Sequence, residues 1–310
     1  MSSNGSSSDA GTLAAPAPDA RRFRGKVVLI SGVSDRGIGG SIAERLAREG
    51  ASLSLAYYEQ MPTRLIKKLQ RWEVSFVCHE CDVTCNQSVE RLIAATCECL
   101  GQIDVVVNNA GLEIAGRFEH LADEAWQRQL DVNLSGAMRL TRVALPQLRS
   151  PGGVIIGIAS TLAMAGCAGF EGYAASKAGL MAMMQGLAVE LAPRGIRTAC
   201  VAPALVPSPM TAHHIARMEG KVDPKMMDAS HPLGLGSPHD VAAAVAFLAS
   251  DDARWITGVT LPLGWVPNYW LPMDEFLAGY RPAAERARPA APSPVPTMHS
   301  ASSDPSASRA

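Results

Sequence analysis

Tyr173 and Lys177 stand four residues apart in the run Tyr173-Ala174-Ala175-Ser176-Lys177. On a helix, positions i and i+4 share a face, so a phenol and an ammonium group can meet there. A neighbouring ammonium favours the phenolate and draws a phenol from its ordinary pKa of about 10 toward the range that general acid or base catalysis needs. Such a pair alone is commonly a plain helix-surface contact, so its weight comes from its company. A second chemical feature is Ser31-Gly32-Val33-Ser34-Asp35-Arg36-Gly37-Ile38-Gly39-Gly40, which follows the apolar run Val27–Ile30 and opens a helical segment. Glycines in a strand-to-helix turn let the backbone bend tightly and let a pyrophosphate come close, while the helix start offers unbonded N–H groups. The spacing is not Gly-x-Gly-x-x-Gly, and glycines at such a turn also serve simple packing.

The second apolar run ends at Tyr57-Tyr58-Glu59. An acidic residue at that place accepts the adenosine 2′-hydroxyl of NAD, whereas a nearby arginine accommodates the 2′-phosphate of NADP. Tyr57 in place of a carboxylate, with Arg36 in the glycine-rich loop, favours NADP over NAD. Glu59 could take the acidic role from slightly further on, and a solvated loop charge is the plain alternative for Arg36.

These residues are set into a regular alternation. Strand-like runs occupy Val27–Ile30, Ser52–Ala56, Val74–Val77, Val105–Val107, Val154–Ile158 and Arg197–Val201. Helical spacing occupies Ser41–Glu49, Pro62–Arg71, Asn86–Leu100, a long tract after Gly111, and a segment from about Tyr173. Strands alternating with helices and lacking hairpin signals predict βαβ units and a parallel sheet. Both ends, 1–22 and 281–310, are rich in Ser, Ala and Pro and read as disordered tails around one domain over 23–280.

Composition removes several function classes. Twenty-eight basic against 29 acidic residues give a net charge of −1, so no global basic field exists to gather nucleic acid or coat an anionic membrane. Seven cysteines form no dense framework, and the N-terminus lacks an apolar core after a basic start, which points to a reducing, cytoplasmic setting. Ser150–Phe170 is uncharged and long enough to span a bilayer, but its glycines suit a buried strand and tight loop better. Cys78, Cys81 and Cys85 with His79, then Cys97 and Cys99, carry metal-like spacing. They fall on the third strand's end and the following helix, and no metal is expected.

From about Gly25 to Gly264 the chain resembles the short-chain dehydrogenase/reductases, in particular 3-oxoacyl-carrier-protein reductases and hydroxysteroid dehydrogenases. The resemblance rests on the glycine-rich turn, Asp82-Val83, Asn108-Asn109-Ala110-Gly111, Val132-Asn133-Leu134, Ser160, Tyr173, Lys177, Pro203, Pro232-Leu233-Gly234 and Ile256-Thr257-Gly258, in that order. It implies a Rossmann-like doubly wound α/β domain with a seven-stranded parallel sheet. It also implies an NAD(P)-dependent enzyme that interconverts a ketone and a secondary alcohol. Tyr173 would be the acid/base, Lys177 would lower its pKa and hold the nicotinamide ribose, Ser160 would bond the substrate oxygen, and Asn133 would hold a water linking Lys177 to solvent. Gly32, Ser34, Arg36, Gly37, Ile38, Gly39, Tyr57, Asp82, Val83, Asn109, Ala110, Gly111, Pro203 and Ser208 would line the cofactor, with Asp82 at the adenine edge. A homodimer or homotetramer is implied, and the apolar stretch Gly179–Leu191 is a candidate interface.

Several residues depart from the family pattern. One extra residue lies between Gly32 and Gly37, Ser31 replaces a threonine, Ala204 replaces the glycine after Pro203, and Trp265 and Trp270 extend an apolar tail. Met210, Met218, Met226 and Met227 in the segment 205–236 suit an apolar or amphipathic carbonyl substrate. A non-catalytic dinucleotide-binding regulator is the alternative, against which the complete set Asn133, Ser160, Tyr173 and Lys177 argues. Enoyl reduction is disfavoured because many enoyl reductases of this fold space the lysine further from the tyrosine.

Overall fold

The computed structural model describes residues 22–218 and 231–264. The sequence alternates β1 (Val27–Ile30), α1 (Ile38–Arg48), β2 (Ser52–Tyr57), α2 (Thr63–Arg71), β3 (Phe76–Glu80), α3 (Asn86–Leu100) and β4 (Val105–Asn108). It continues with α4 (Asp123–Leu130), α5 (Gly136–Ala144), β5 (Val154–Ile158), α6 (Glu171–Leu191), β6 (Arg197–Pro203), α7 (Ala212–Met218), α8 (Pro238–Ala249) and β7 (Val259–Leu263).

The strands form one seven-stranded sheet in the order β3-β2-β1-β4-β5-β6-β7, and every neighbouring pair is parallel. Strand alternation feeds two cores. Val28 and Ile30 of β1 face one cluster with Ile42, Leu46, Val241 and Val245 from α1 and α8. Leu29 faces the other, with Val89, Leu92, Leu140, Leu180 and Met184 from α3, α5 and α6. Period-2 side chains on a sheet covered by helices on both faces explain why these strands read as continuous apolar runs. The chain winds outward from β1 to β3 and then crosses back to β4, so a crevice opens between the C-terminal ends of β1 and β4.

Several boundaries differ from the sequence reading. Helix α1 begins at Ile38 rather than Ser41, capped by the extended Gly37; the glycines taken for turn are its first residues. Strand β3 covers Phe76–Glu80 rather than Val74–Val77, because Val74 still belongs to the end of α2. Glu73 adopts φ 54, its N–H bonds the Gln70 carbonyl, and the Val74 N–H bonds that of Leu69. That is the Schellman pattern, made without the usual glycine. Arg22, counted with the N-terminal tail, is held by Glu49 at 2.7 Å and Asp252 at 3.1 Å. The stretch 150–170 divides into the buried strand β5 and a loop, and among the described residues no helix is long and apolar enough to cross a membrane. Residues 1–21, 219–230 and 265–310, with Met226, Met227, Trp265 and Trp270, lie outside the described residues.

Candidate active site

The crevice is built first from backbone. Gly32 follows β1 with φ 67, and a Cβ there would lie 2.6 Å from the Ala110 Cα, so only glycine lets the two loops touch. Ser31 fastens the same junction: its hydroxyl accepts from the N–H of Asn109 at 3.1 Å and of Ala110 at 3.0 Å. The Asn109 amide in turn donates to the carbonyls of Ser31 and Gly32 at 2.9 and 2.8 Å. Helix α1 then starts at this crevice with no side-chain cap and no acidic residue in its first turn. Its first N–H groups and positive dipole end meet the chemistry of an anion. The glycine cradle, the uncapped helix and the switch-point position together fit a dinucleotide pyrophosphate.

The second part is built from buried side chains on β5, α6 and the rod of α4 and α5. Asp131–Ser135 forms a π-helical turn between those two helices and carries Asn133, which is 1% exposed. The Asn133 Oδ1 accepts from the Leu112 N–H at 2.8 Å, and its Nδ2 donates to the Leu112 carbonyl at 2.9 Å and the Ser176 hydroxyl at 2.8 Å. Ser176 donates to the Tyr173 carbonyl at 2.7 Å. The Lys177 Nζ donates to the Ile158 carbonyl at 2.8 Å and stands 5.8 Å from the centre of the Tyr173 ring. A Cβ on Gly111 would lie 3.2 Å from both the Asn133 Oδ1 and the Lys177 Nζ. Ser160, two residues past β5, is buried, accepts from the Leu162 N–H at 3.2 Å and lowers the pKa of the Tyr173 phenol. Asn133, Ser160, Tyr173 and Lys177 are therefore brought together, with Gly111 at their edge.

The electrostatics correct one expectation. Spacing suggested that Lys177 draws the phenol's pKa down, but burial pushes Tyr173 well above the usual phenol range, Glu113 pushes the same way, and only the Ser160 hydrogen bond opposes them. Burial also lowers Lys177 from 10.5 to about 8. The phenol therefore holds its proton at neutral pH, as a proton donor must.

The remaining sequence candidates are spread along the same sheet edge. Asp35, within the longer glycine-rich loop, accepts from the Leu65 N–H in the first turn of α2 at 2.9 Å, leaving Ser34 against Gly37 and Arg36 exposed at the tip. Tyr57 ends β2. Glu59, with φ 60, raises the pKa of the exposed Tyr58 phenol by its charge. The Asp82 carboxylate accepts from the N–H and hydroxyl of Thr84 at 2.9 and 2.7 Å, and Val83 is buried behind it. Ile38 and Gly39 open α1. Pro203 ends β6, and the Ala204 N–H bonds the Leu263 carbonyl at 2.9 Å. Ser208 shares its hydroxyl with Thr211 at 3.1 Å in a local turn.

Sequence reasoning gave no role to Ser31, Gln129, Ser176 or Glu113. Ser176 lies inside the quoted Tyr-to-Lys run, so its site membership was signalled there. Gln129, fully buried, accepts from the Ile114 N–H at 3.0 Å, a contact no local pattern announces. Among the described residues no cluster of His, Cys, Asp or Glu could hold a metal ion, and all seven cysteines are free.

Residues 32–263 match the family model described as enoyl-(acyl carrier protein) reductase. The chain belongs to the short-chain dehydrogenase/reductase family, oxidoreductases that act on alcohol and carbonyl groups with a nicotinamide dinucleotide. It is 35% identical over 244 residues to 3beta-hydroxysteroid dehydrogenase 1 of Eggerthella lenta, covering 77% of this chain and 92% of that protein. It is 33% identical to L-rhamnose 1-dehydrogenase (NAD(P)(+)) of Azotobacter vinelandii, covering 76% and 94%. A short-chain dehydrogenase of Burkholderia cenocepacia, solved in complex with NADP, superposes with a TM-score of 0.70 at 31% identity, covering 78% of this chain and 97% of that one.

Proposed function

We propose that the protein reduces a ketone to a secondary alcohol, or runs the reverse reaction, with NADP(H) preferred over NAD(H) and an apolar or amphipathic substrate. The observation that carries this reading is the buried Tyr173 phenol with the buried Lys177 one helical turn on, 5.8 Å from its ring, at the crevice between β1 and β4. When bound, the nicotinamide supplies or takes the hydride. Gly32, Ser34, Gly37, Ile38 and Gly39 would receive the pyrophosphate, Asp82 and Val83 the adenine, and Asn109, Ala110, Gly111, Pro203 and Ser208 the path toward the nicotinamide. Arg36 would meet the 2′-phosphate beside Tyr57.

In reduction, Ser160 and Tyr173 donate to the carbonyl oxygen and stabilise the charge that develops there. Tyr173 then yields its proton. Lys177 stands behind the phenol to favour its anion once the proton has left, and Asn133 fixes the floor through Leu112 and Ser176. Leu162, Ala163, Met164 and Ala165 line a depression beside α6, which supports an apolar substrate body, as does the hydroxysteroid dehydrogenase relative. The four-residue spacing from Tyr173 to Lys177 supports ketone over enoyl chemistry. The exposed Val189 and Ala182 on the apolar helix α6 support a homodimer or homotetramer, and the free cysteines support a cytoplasmic setting.

Titration with NADPH and NADH, followed by absorbance decay with a panel of lipophilic ketones, tests the reading. NADPH should bind more tightly, and Arg36→Ala should weaken NADPH by about 10-fold or more while sparing NADH, the scale of a charge-assisted hydrogen bond. Equal loss for both cofactors would remove Arg36 from the 2′-phosphate, and binding without turnover of any ketone or alcohol would support the regulator instead.

A further inference from the structure

Tyr173 sits in the first turn of α6, the part of a helix whose N–H groups have no partner within it. Phe170 precedes that turn without a side-chain cap, so the turn is seated by what it packs against. At Gly172 it meets α4: a Cβ there would lie 2.5 Å from the Gln129 Nε2 and 3.3 Å from the Trp126 ring. Gln129 is fully buried, and its Oε1 accepts from the Ile114 N–H at 3.0 Å. The Gln129 amide therefore lies between the loop that leaves β4 and the backbone that carries Tyr173. Four residues on, Asn133 joins Leu112 of the same loop to Ser176 of the same helix. The Gly116 N–H bonds the Gly169 carbonyl at 2.9 Å, closing the loop onto the segment before α6. The Gln129 Nε2 is buried and has no hydrogen-bond partner among the described residues. A buried donor left unpaired is a cost to folding that an apolar side chain of the same length would avoid.

We propose that Gln129 is a positioning residue for the acid/base, its amide a spacer that sets how far the first turn of α6 stands from the loop after β4 and so where the Tyr173 phenol meets the substrate carbonyl. The proposal rests on the ketone-reductase reading above. Ile114 holds the amide at Oε1, which keeps it from swinging away from Gly172. Glycine at 172 is the other half of the device, because it lets the helix backbone rest directly on the amide. Proton donation requires the phenol within hydrogen-bond reach of the reacting oxygen, and a misplacement of about 1 Å can cost about 10²-fold in rate. Adding or removing a carbon-sized group at this one contact moves the turn on that scale.

A double-mutant cycle between Gln129 and Gly172 tests this, read as kcat per NADPH-binding site with a lipophilic ketone. Gln129→Ala removes the spacer, and Gly172→Ala drives a methyl into it. Each should lower kcat by about 10-fold or more, with the NADPH Kd within about twofold, less than one hydrogen bond's worth. In the double variant the methyl at 172 enters the space the amide leaves, so kcat should recover above that of either single variant. A merely structural role gives no such recovery, because independent losses multiply. Multiplied losses, or a wild-type kcat in Gln129→Ala, overturn the proposal and leave the reductase reading standing. If a variant of the cycle melts out, Gln129→Met decides. It keeps the length, removes the unpaired donor and releases the Ile114 N–H, so the number of buried unpaired donors is unchanged. Its Tm should stay within about 3 °C of the wild type while kcat falls about 10-fold. An unchanged kcat, or loss of the fold in this variant too, makes Gln129 a packing residue and overturns the proposal. A wild type that turns over no ketone overturns it together with the reading beneath it.

Discussion

The two sides of the crevice are built by opposite means. Around β1 and α1 the surface is backbone: Gly32 against Ala110, an uncapped helix start, and Ser31 drawing the β4 loop in. Around β5 and α6 it is side chain: Lys177 on Ile158, and Asn133 on Leu112 and Ser176. The first side works by what is missing, since any Cβ at Gly32 would collide with its neighbour. The second works by the chemistry of particular functional groups. In the backbone cradle Asp35 serves a neighbouring element, accepting from the Leu65 N–H at the start of α2. A buried set of polar side chains has no such slack, because each member satisfies another.

Exchanging one atom on each side should break the symmetry between binding and turnover. Tyr173→Phe keeps ring and packing but removes the proton, so kcat should fall by about 10²–10⁴-fold, the range of general acid catalysis, while NADPH affinity measured by fluorescence titration stays within about twofold, well under one hydrogen bond's worth. Retained turnover would take the acid/base role from Tyr173. Gly32→Ala should do the reverse. Forcing an alanine to φ 67 beside Ala110 should lower stability by about 1–3 kcal/mol and weaken NADPH binding, read as a drop in Tm and a rise in Kd. An unchanged Kd would mean that the turn does not meet the cofactor.

A smaller effect separates the two sides by pH. Lys177 titrates near 8 in the folded chain against an ordinary 10.5, so folding favours its neutral form. The cost of burying its charge is complete below pH 8, fades as pH rises, and is gone above 10.5. The stability of the wild type relative to Lys177→Met should therefore climb between those values, measured by denaturant melts without cofactor. A flat difference would place the ammonium in a better-solvated setting than the geometry indicates.

The sequence announces the sheet and the candidate site side chains but not the scaffolding between them. Val27–Ile30, Val105–Val107 and Val154–Ile158 are legible because both faces of a covered parallel strand are apolar. Tyr173, Lys177, Ser160 and Asn133 are legible because their order and intervals recur across a family. Ser31 reaching Asn109 across 78 residues, or Gln129 holding Ile114, leaves no periodic trace, since each contact exists only after the sheet has assembled. The start of β3 was misplaced for a related reason. Glu73 performs a glycine's task at the end of α2, so the composition signal for that helix end is absent. The expected lowering of the Tyr173 pKa failed because spacing registers a neighbouring charge but not the loss of water around the phenol.

The widened turn at Asp131–Ser135 is, in crystallographic language, a dislocation. One surplus residue in a helix rotates everything before it against everything after it by about 100°. Here the fault lies between α4 and α5, with Gln129 on its threshold and Asn133 inside it, and both reach the same strand-following loop. A one-residue deletion would heal the rod into a regular helix and unlatch Leu112 and Ile114 together. The alignment of the catalytic floor is thus stored in an irregularity, and a tidier helix would be a poorer enzyme.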